Sequence, residues 1–141
     1  MTVSIYLDPT NESVTSLFQR GIQGEEVMLN LIKLREEADY SAFPELAPEN
    51  PISGRAAYQL YVEHTRPYLA ESGGELLYIG EGGQYLIGPE GDGWDIAMLV
   101  KQSSVEAFLA FAQNPAYMSG NGHRTAAVAD SRILPLATLA L

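Results

Sequence analysis

Two apolar runs constrain most strongly what this chain can fold into. VMLNLIKL (27–34) and WDIAMLVKQ (94–102) are apolar through most of their length, and each holds a lone polar residue in its interior, Asn30 and Asp95. Runs of this kind are typical of central β-strands that are covered on both faces. The chain therefore needs a sheet with cover on both sides.

Helix signals separate these runs. Ser53 is a candidate N-cap for a helix that ends at the glycine pair 73–74. Ser103 and Glu106 form a capping box for a second helix over SVEAFLAFAQ (104–113). Each helix follows an apolar run or leads into one, so both are predicted to be crossover helices of one sheet.

Two further stretches complete the sheet. GELLYIGEG (74–82) and RILPLATLAL (132–141) indicate strands, and Pro135 predicts an edge position or a bulge in the second. The order strand, helix, strand, strand, helix, strand predicts an α+β ferredoxin-like fold, with two helices on one face of a four-stranded sheet. The other face then needs a partner, for which a second copy related by a two-fold axis is the economical choice.

The length of 141 residues predicts a single domain. Residues 1–25 indicate an N-terminal extension, with a short strand over residues 3–7 and a helix capped by Thr10 or Asn11. Residues 26–141 are then the ferredoxin-like core. Its insertion at 36–54 has five acidic residues, three prolines and no basic residue, which is typical of a long loop and permits a lid.

Charge and composition exclude several partners. Eighteen acidic against eight basic residues give a net charge of −10, which repels phosphate backbones and anionic membranes. We therefore expect neither a nucleic acid nor a membrane as partner. The absence of cysteine suits a reducing cytoplasm, and neither a signal peptide nor a membrane span of about 20 apolar residues is found. The composition predicts a cytoplasmic protein.

The segments VMLNLIKL, RPYLAESGGELLYIGEG, WDIAMLVKQSSVEAFLAFAQNPAY and HRTAAVADSRILPL together resemble the domain-of-unknown-function 1330 family, within the dimeric α/β barrel superfamily. The most specific elements are the glycine pair 73–74, the box of Asn114, Pro115 and Tyr117, and Arg124 before AAV. The resemblance implies a ferredoxin-like protomer whose sheet packs against that of its twin. Superfamily relatives include cofactor-free monooxygenases, chlorite-related haem enzymes and muconolactone-isomerase-like enzymes, whereas the family itself has no established activity.

The chain departs from that family pattern at Gly120 and Gly122, where relatives have helix-favouring residues. Each glycine costs about 1 kcal/mol in a helix interior. We therefore expect either a loosened backbone at His123 or a helix that breaks at SGNG (119–122).

Six residues are candidates for ligand binding: Asn30, His64, Tyr78, Trp94, Asp95 and Arg124. The resemblance implies a cavity between sheet and helices, and inward polar residues of the first strand face it, which makes Asn30 the preferred candidate. Asp95 either bonds a structural neighbour or lines that cavity. Tyr78 and Trp94 either supply apolar wall or pack in the core.

Arg124 shares a helix face with Tyr117 and Val128, so it is predicted to point inwards. Its guanidinium either anchors an anionic ligand or forms a structural ion pair with Asp95 or Asp130.

The sequence supports fewer functional inferences for the two histidines. His123 lies about 100° round the helix from its neighbour Arg124 and is predicted to be a surface or interface residue. His64 either carries protons in a pocket or is a core histidine with satisfied hydrogen bonds.

No motif indicates a cofactor or a metal. Two histidines without cysteine make a weak ligand set, and the glycine-rich segments lack the lysine of a phosphate loop. The favoured function is a homodimer that binds a small apolar or aromatic metabolite between sheet and helices. The alternatives are a cofactor-free monooxygenase- or isomerase-like enzyme, in which Asn30, His64 and Arg124 would polarise the substrate or move protons, and a purely structural dimer without ligand.

Overall fold

The structure is a computed structural model and describes residues 4–140. Its sheet has four strands in the order β2-β3-β1-β4, and every neighbouring pair is antiparallel. The strands are β1 Glu26–Leu34, β2 Glu75–Gln84, β3 Gly93–Gln102 and β4 Val128–Leu136. This order and the crossover helices confirm the predicted ferredoxin-like α+β fold.

The helices occupy one side of the sheet. Two of them are the predicted crossovers, and the others belong to the N-terminal extension and to the connection before β4. They are α1 Asn11–Gln19, α2 Gly54–Glu71, α3 Val105–Ala112, α4 Pro115–Met118 and α5 Asn121–Ala127. α2 continues through Pro67, although a proline inside a helix usually kinks or interrupts it.

Side-chain caps fix where the helices begin. Thr10 caps α1 in a capping box with Ser13, and the hydroxyl of Ser53 accepts a hydrogen bond from the third residue of α2. The prediction for α3 was wrong by one position, because Ser104 and not Ser103 has the extended backbone of a cap and accepts from the amide of Ala107.

β1 shows how the two faces of the sheet differ. Met28, Asn30 and Ile32 lie under the helices and are buried, whereas the alternate residues Leu29 and Leu31 are only half-buried on the opposite face. The strands are apolar on both faces, as predicted, but within one protomer only the helix side is covered. The uncovered side of this sheet is called the open face below.

The N-terminal extension docks beside the edge strand β4. Residues 4–7 do not form the predicted strand, and position 3 of that strand lies outside the described residues. The carbonyl of Tyr6 accepts from the amide of Ser131 at 3.0 Å. Further along, Leu17 of α1 packs against Met28 and Val105, so α1 covers one end of the helix side.

The second crossover breaks at the glycines. α4 ends at Met118 and α5 begins at Asn121. Of the two predicted outcomes, the helix is therefore broken at SGNG (119–122). A Cβ at Gly120 would overlap the imidazole of His64, and a Cβ at Gly122 would press on Phe43 and Leu46. The glycines therefore permit close packing against α2 and the 36–54 loop.

The 36–54 loop packs against α5. It contains a short 3-10 helix, Pro44–Leu46, and its Asp39 amide donates to the carbonyl of Ala126 at 2.9 Å. The loop is closed by an antiparallel bridge between Glu37 and Ser53. It is therefore an ordered covering of the second crossover.

Candidate functional site

A cavity of about 330 Å³ lies between the sheet and the helices α2 and α3. This volume is within the range of small-molecule sites. Most of the wall is apolar, with contributions from β1, β3, α2 and α3: Met28, Met98, Val100, Leu69, Phe108 and Phe111. The wall therefore presents a mainly apolar surface to the cavity.

Three tyrosines line one end of the cavity. The Tyr61 and Tyr117 hydroxyls lie 2.9 Å apart, and Tyr117 also donates to Oδ1 of Asn121 at 3.2 Å. Burial raises the pKa of both Tyr58 and Tyr117 above the usual tyrosine value. The hydroxyls of Tyr58 and Tyr117 therefore stay protonated at neutral pH, and the single proton of Tyr58 is donated to Sδ of Met98 at 4.0 Å, as that of Tyr117 is to Asn121.

Arg124 reaches the same end of the cavity from α5. It is 9% exposed; Nη1 donates to the carbonyl of Leu7 at 2.6 Å and Nη2 to Oγ of Ser131 at 3.1 Å. Neither Asp95 nor Asp130, the acids proposed as its structural partners, forms an ion pair with it within residues 4–140. The guanidinium ties the N-terminal extension to β4 and also lines the cavity.

Asn30 lies in the floor of the cavity. Its side-chain amide donates to the carbonyl of Met28 at 3.1 Å, and the residue is 9% exposed. β1 therefore places a polar group in the mainly apolar floor of the cavity that Arg124 also lines.

The far end of the cavity holds polar atoms without partners. Oγ1 of Thr65 and Oε1 of Gln102 are buried and accept no hydrogen bond from residues 4–140. Beside the cavity, Glu26 pairs with Gln102 across the strands, and both its carboxyl oxygens are also buried without a partner. Burial raises the pKa of this carboxyl. An unpaired buried acceptor costs about 1–3 kcal/mol, which a ligand donor can recover.

His64 and Asp95 serve the fold instead of the cavity. Nε2 of His64 lies 2.9 Å from the carbonyl oxygen of Ala116, so the imidazole ties α2 to α4. Oδ2 of Asp95 accepts from the amide of Leu34 at 2.7 Å, where the pairing of β1 with β4 shifts register. Both polar groups are satisfied within the fold, and neither residue lines the cavity.

Tyr78 and Trp94 are also outside the cavity. Tyr78 pairs with Leu99 on the open face and is 62% exposed. The ring of Trp94 lies between the cations of Lys33 and Arg132, at 5.0 and 5.3 Å from its centroid. Neither aromatic residue therefore forms the apolar wall or the core.

His123 holds the 36–54 loop. Its Nδ1 lies 2.7 Å from the hydroxyl of Tyr40, and the two rings meet edge to face. No residue of that loop lines the cavity, whose rim is instead covered by Leu7, Asp8 and Pro9 of the N-terminal extension. The loop fixes α5, whereas the extension is placed as a cover for the cavity.

We expect stability to fall at mildly acidic pH in a way that depends on His123. Burial and the nearby His64 lower the pKa of His123 below its usual value of about 6.5, so the unfolded chain binds this proton first. The stability that neutral His123 contributes is fully present above about pH 6.5 and is lost as the pH falls below this value. The free energy of unfolding then decreases by no more than about 1.4 kcal/mol per pH unit on account of this residue. The free energy of unfolding, measured with urea at pH 5.5 and 7.5, should differ less between the two pH values for His123→Gln than for the wild type. Equal differences in the two proteins would contradict the assignment of this pH dependence to His123.

Of the residues at the two ends of the cavity, Arg124 was a candidate from the sequence, whereas the tyrosines beside it and Thr65 and Gln102 at the far end were not. Tyr58, Val62, Thr65 and Leu69 recur at intervals of four, three and four residues along α2, and all line the cavity. This spacing marks one helix face. The tyrosine and threonine on that face were the available signal for a partly polar wall.

Within residues 4–140, no group of three histidine, aspartate or glutamate side chains is arranged to hold a metal ion. No helix in the same range has the length and apolar character needed to cross a membrane. The groups that the cavity offers a ligand are hydrogen-bond donors, acceptors and one buried cation.

The sheet order and the single-sided helical layer define a ferredoxin-like α+β protein with an internal cavity. The model of the DUF1330 family, described as a domain of unknown function, matches residues 48–135. The chain belongs to this family, which confirms the resemblance found in the sequence. No curated protein matches the chain.

Solved structures agree with this assignment. The chain is 32% identical to a protein of unknown function from Rhodopseudomonas palustris, with a TM-score of 0.80 and coverage of 98% of this chain and 100% of that one. The methylated form of that protein gives a TM-score of 0.82, again at 32% identity with 98% of both chains covered. A dimeric ferredoxin-like protein of unknown function from Bacteroides fragilis is 16% identical, with a TM-score of 0.50 over 83% of this chain and 99% of that one, and so shows the fold alone.

Proposed function

We propose that this protein is a homodimer that binds a small apolar or aromatic metabolite in the cavity between sheet and helices. The observation that carries the proposal is a largely apolar cavity of about 330 Å³ that is also lined by the buried polar residues Asn30, Gln102 and Arg124. Ligand sites commonly combine an apolar wall with a few polar groups that fix orientation.

The open face supports the homodimer. Leu29 and Leu31 of β1 and Leu99 of β3 lie half-buried on this face, and Leu134 of β4 is 55% exposed there. A contiguous apolar face of this kind usually marks an interface, and a two-fold axis allows one patch to cover itself. The Bacteroides fragilis protein with this fold is described as dimeric.

Binding is favoured over catalysis because the proton carrier of the enzyme alternative lies outside the cavity. His64 is held by backbone carbonyls of α4, so only Asn30 and Arg124 remain from that trio. The tyrosine hydroxyls keep a cofactor-free isomerase- or monooxygenase-like activity as a second candidate, because hydroxyl groups at one end of the cavity can stabilise charge on a substrate oxygen if they turn towards it. A purely structural dimer would instead leave the cavity without a ligand.

We also propose a cytoplasmic location, and neither nucleic acid nor membrane as partner. A chain without cysteine suits a reducing compartment, and its net charge of −10 opposes binding to phosphate backbones and anionic lipids.

A matched pair of tryptophan variants tests the site. Val62 lines the cavity, whereas its neighbour Glu63 is exposed on the other side of α2. Calorimetric titration with 1-octanol should show binding to the wild type and to Glu63→Trp, and at least about tenfold weaker binding to Val62→Trp, since the indole fills the cavity. Unchanged binding to Val62→Trp would place the site elsewhere, and no binding to the wild type would favour the structural dimer.

A further inference from the structure

We infer that the ligand of this cavity is an amphipathic carboxylate, held with its acid group on Arg124 and its apolar body along β1 and β3. The inference rests on the proposed function and adds the chemical class of the ligand.

The first observation is a buried cation without a counterion. Burying a charge is costly unless it is paired, yet the two identified acceptors of Arg124 are a carbonyl and a hydroxyl, both neutral. The acid nearest in sequence, Asp130, is engaged by Arg132 at 2.8 Å and by the amide of Tyr6 at 2.9 Å. Asp8 lines the cavity but forms no ion pair with Arg124 within residues 4–140.

Arg124 also has donors to spare. A guanidinium has five N–H donors, and two of them are used by Leu7 and Ser131. The remaining donors belong to a side chain that lines the cavity, whereas the single protons of the Tyr58 and Tyr117 hydroxyls are already donated to Sδ of Met98 and Oδ1 of Asn121. A buried cation with N–H donors to spare matches a carboxylate, which accepts several hydrogen bonds and supplies the missing negative charge.

The opposite end of the cavity has buried neutral acceptors, and the charged groups near it are Arg66, exposed at the rim, and Glu26 beside the cavity. Thr65 and Gln102 there present buried oxygens without donors, and Thr65 follows Tyr58 by seven residues on α2. At 1.5 Å per helical residue, the two ends are about 10 Å apart along the helix. The wall between them is apolar, so the ligand is a carboxylate with a hydrocarbon body.

The cavity volume limits the ligand to a small molecule. At about 30 Å³ per non-hydrogen atom, the volume of one water in the liquid, 330 Å³ holds roughly ten such atoms. Octanoate has this size, and an extended chain of this length is close to the separation of the two ends. Octanoate and its neutral isostere octanamide are therefore suitable probes.

Calorimetric titration of the full chain with the two probes tests the inference without any substitution. We expect octanoate to bind the wild type at least about tenfold more tightly than octanamide at pH 7, because only the acid provides a charge for Arg124. Equal affinities, or a preference for the amide, would overturn the carboxylate assignment while leaving the cavity site intact. If neither probe binds, the proposed function fails together with the inference.

Arginine variants locate the acid group. Arg66, exposed at the rim of the cavity, is the alternative cation, and Arg55, exposed on α2 outside the cavity, provides the matched control. We expect Arg124→Gln to abolish the preference for octanoate over octanamide, and Arg55→Gln to retain it. A preference that survives Arg124→Gln would contradict the assignment; if Arg124→Gln does not fold, loss of the preference in Arg66→Gln would contradict the assignment and its retention there would support it.

Discussion

Replacing Leu29 with aspartate is expected to halve the mass of the protein in solution. Leu29 lies at the centre of the open face, between Leu99 of β3 and Leu134 of β4. An unpaired carboxylate in an apolar interface costs several kcal/mol, which is enough to separate two protomers at micromolar concentration. Light scattering coupled to size exclusion should give a dimer for the wild type and a monomer for this variant.

The matched control for this experiment is Ala110→Asp. Ala110 is exposed on α3, on the other side of the molecule from the open face, and its replacement should leave the mass unchanged. Because Leu29 points away from the helices, the circular dichroism of the variant should remain that of a folded protein. A wild-type monomer, or a Leu29→Asp variant with the mass of the wild type, would contradict the homodimer.

Replacing Gly54 with alanine is expected to destabilise the protomer by about 2 kcal/mol or more. Gly54 begins α2, and a Cβ there would run into the carbonyl of Arg35 and lie 3.0 Å from the carbonyl oxygen of Ala127. Both obstacles are backbone atoms, at the ends of β1 and α5, so relief requires these elements to move apart. Forced overpacking of this kind typically costs about 1–3 kcal/mol.

Gly83 offers the control for this substitution. It lies in β2, and a Cβ there would meet no atom within 4 Å. Urea unfolding should therefore show a large loss of stability for Gly54→Ala and little change for Gly83→Ala. A Gly54→Ala variant within about 0.5 kcal/mol of the wild type would show that the close approach of α2 to β1 and α5 is not constrained.

The fold was predictable because its signals are local. Pro135 indicated an edge position or a bulge, and Thr10 and Ser53 marked helix starts, since capping depends on residues within one turn. The residues near the start of α3 did not determine whether Ser103 or Ser104 is its N-cap. Both are serines in adjacent positions, and the end of β3 at Gln102 determines which of them becomes the cap.

The site was only partly predictable because its geometry depends on contacts distant in sequence. Arg124 was expected to point inwards and does, but its partner Leu7 lies 117 residues earlier and left no sequence signal. The length of the 36–54 loop suggested a lid, yet Gly122 lets Phe43 pack close to α5, away from the cavity. His64 was open to a role in a pocket or in the core, and its partners, the backbone carbonyls of Ala116 and Tyr117, lie more than 50 residues later in the chain.

The most direct test of the ligand cavity is a crystal structure of the protein soaked with 8-bromooctanoate. The anomalous signal of bromine locates the tail of this probe without reference to the protein density. We expect one bromine per protomer between sheet and helices, near Thr65 and Gln102, with the carboxylate at Arg124. Bromine on the open face or outside the protomer, with an empty cavity, would contradict a ligand site between sheet and helices.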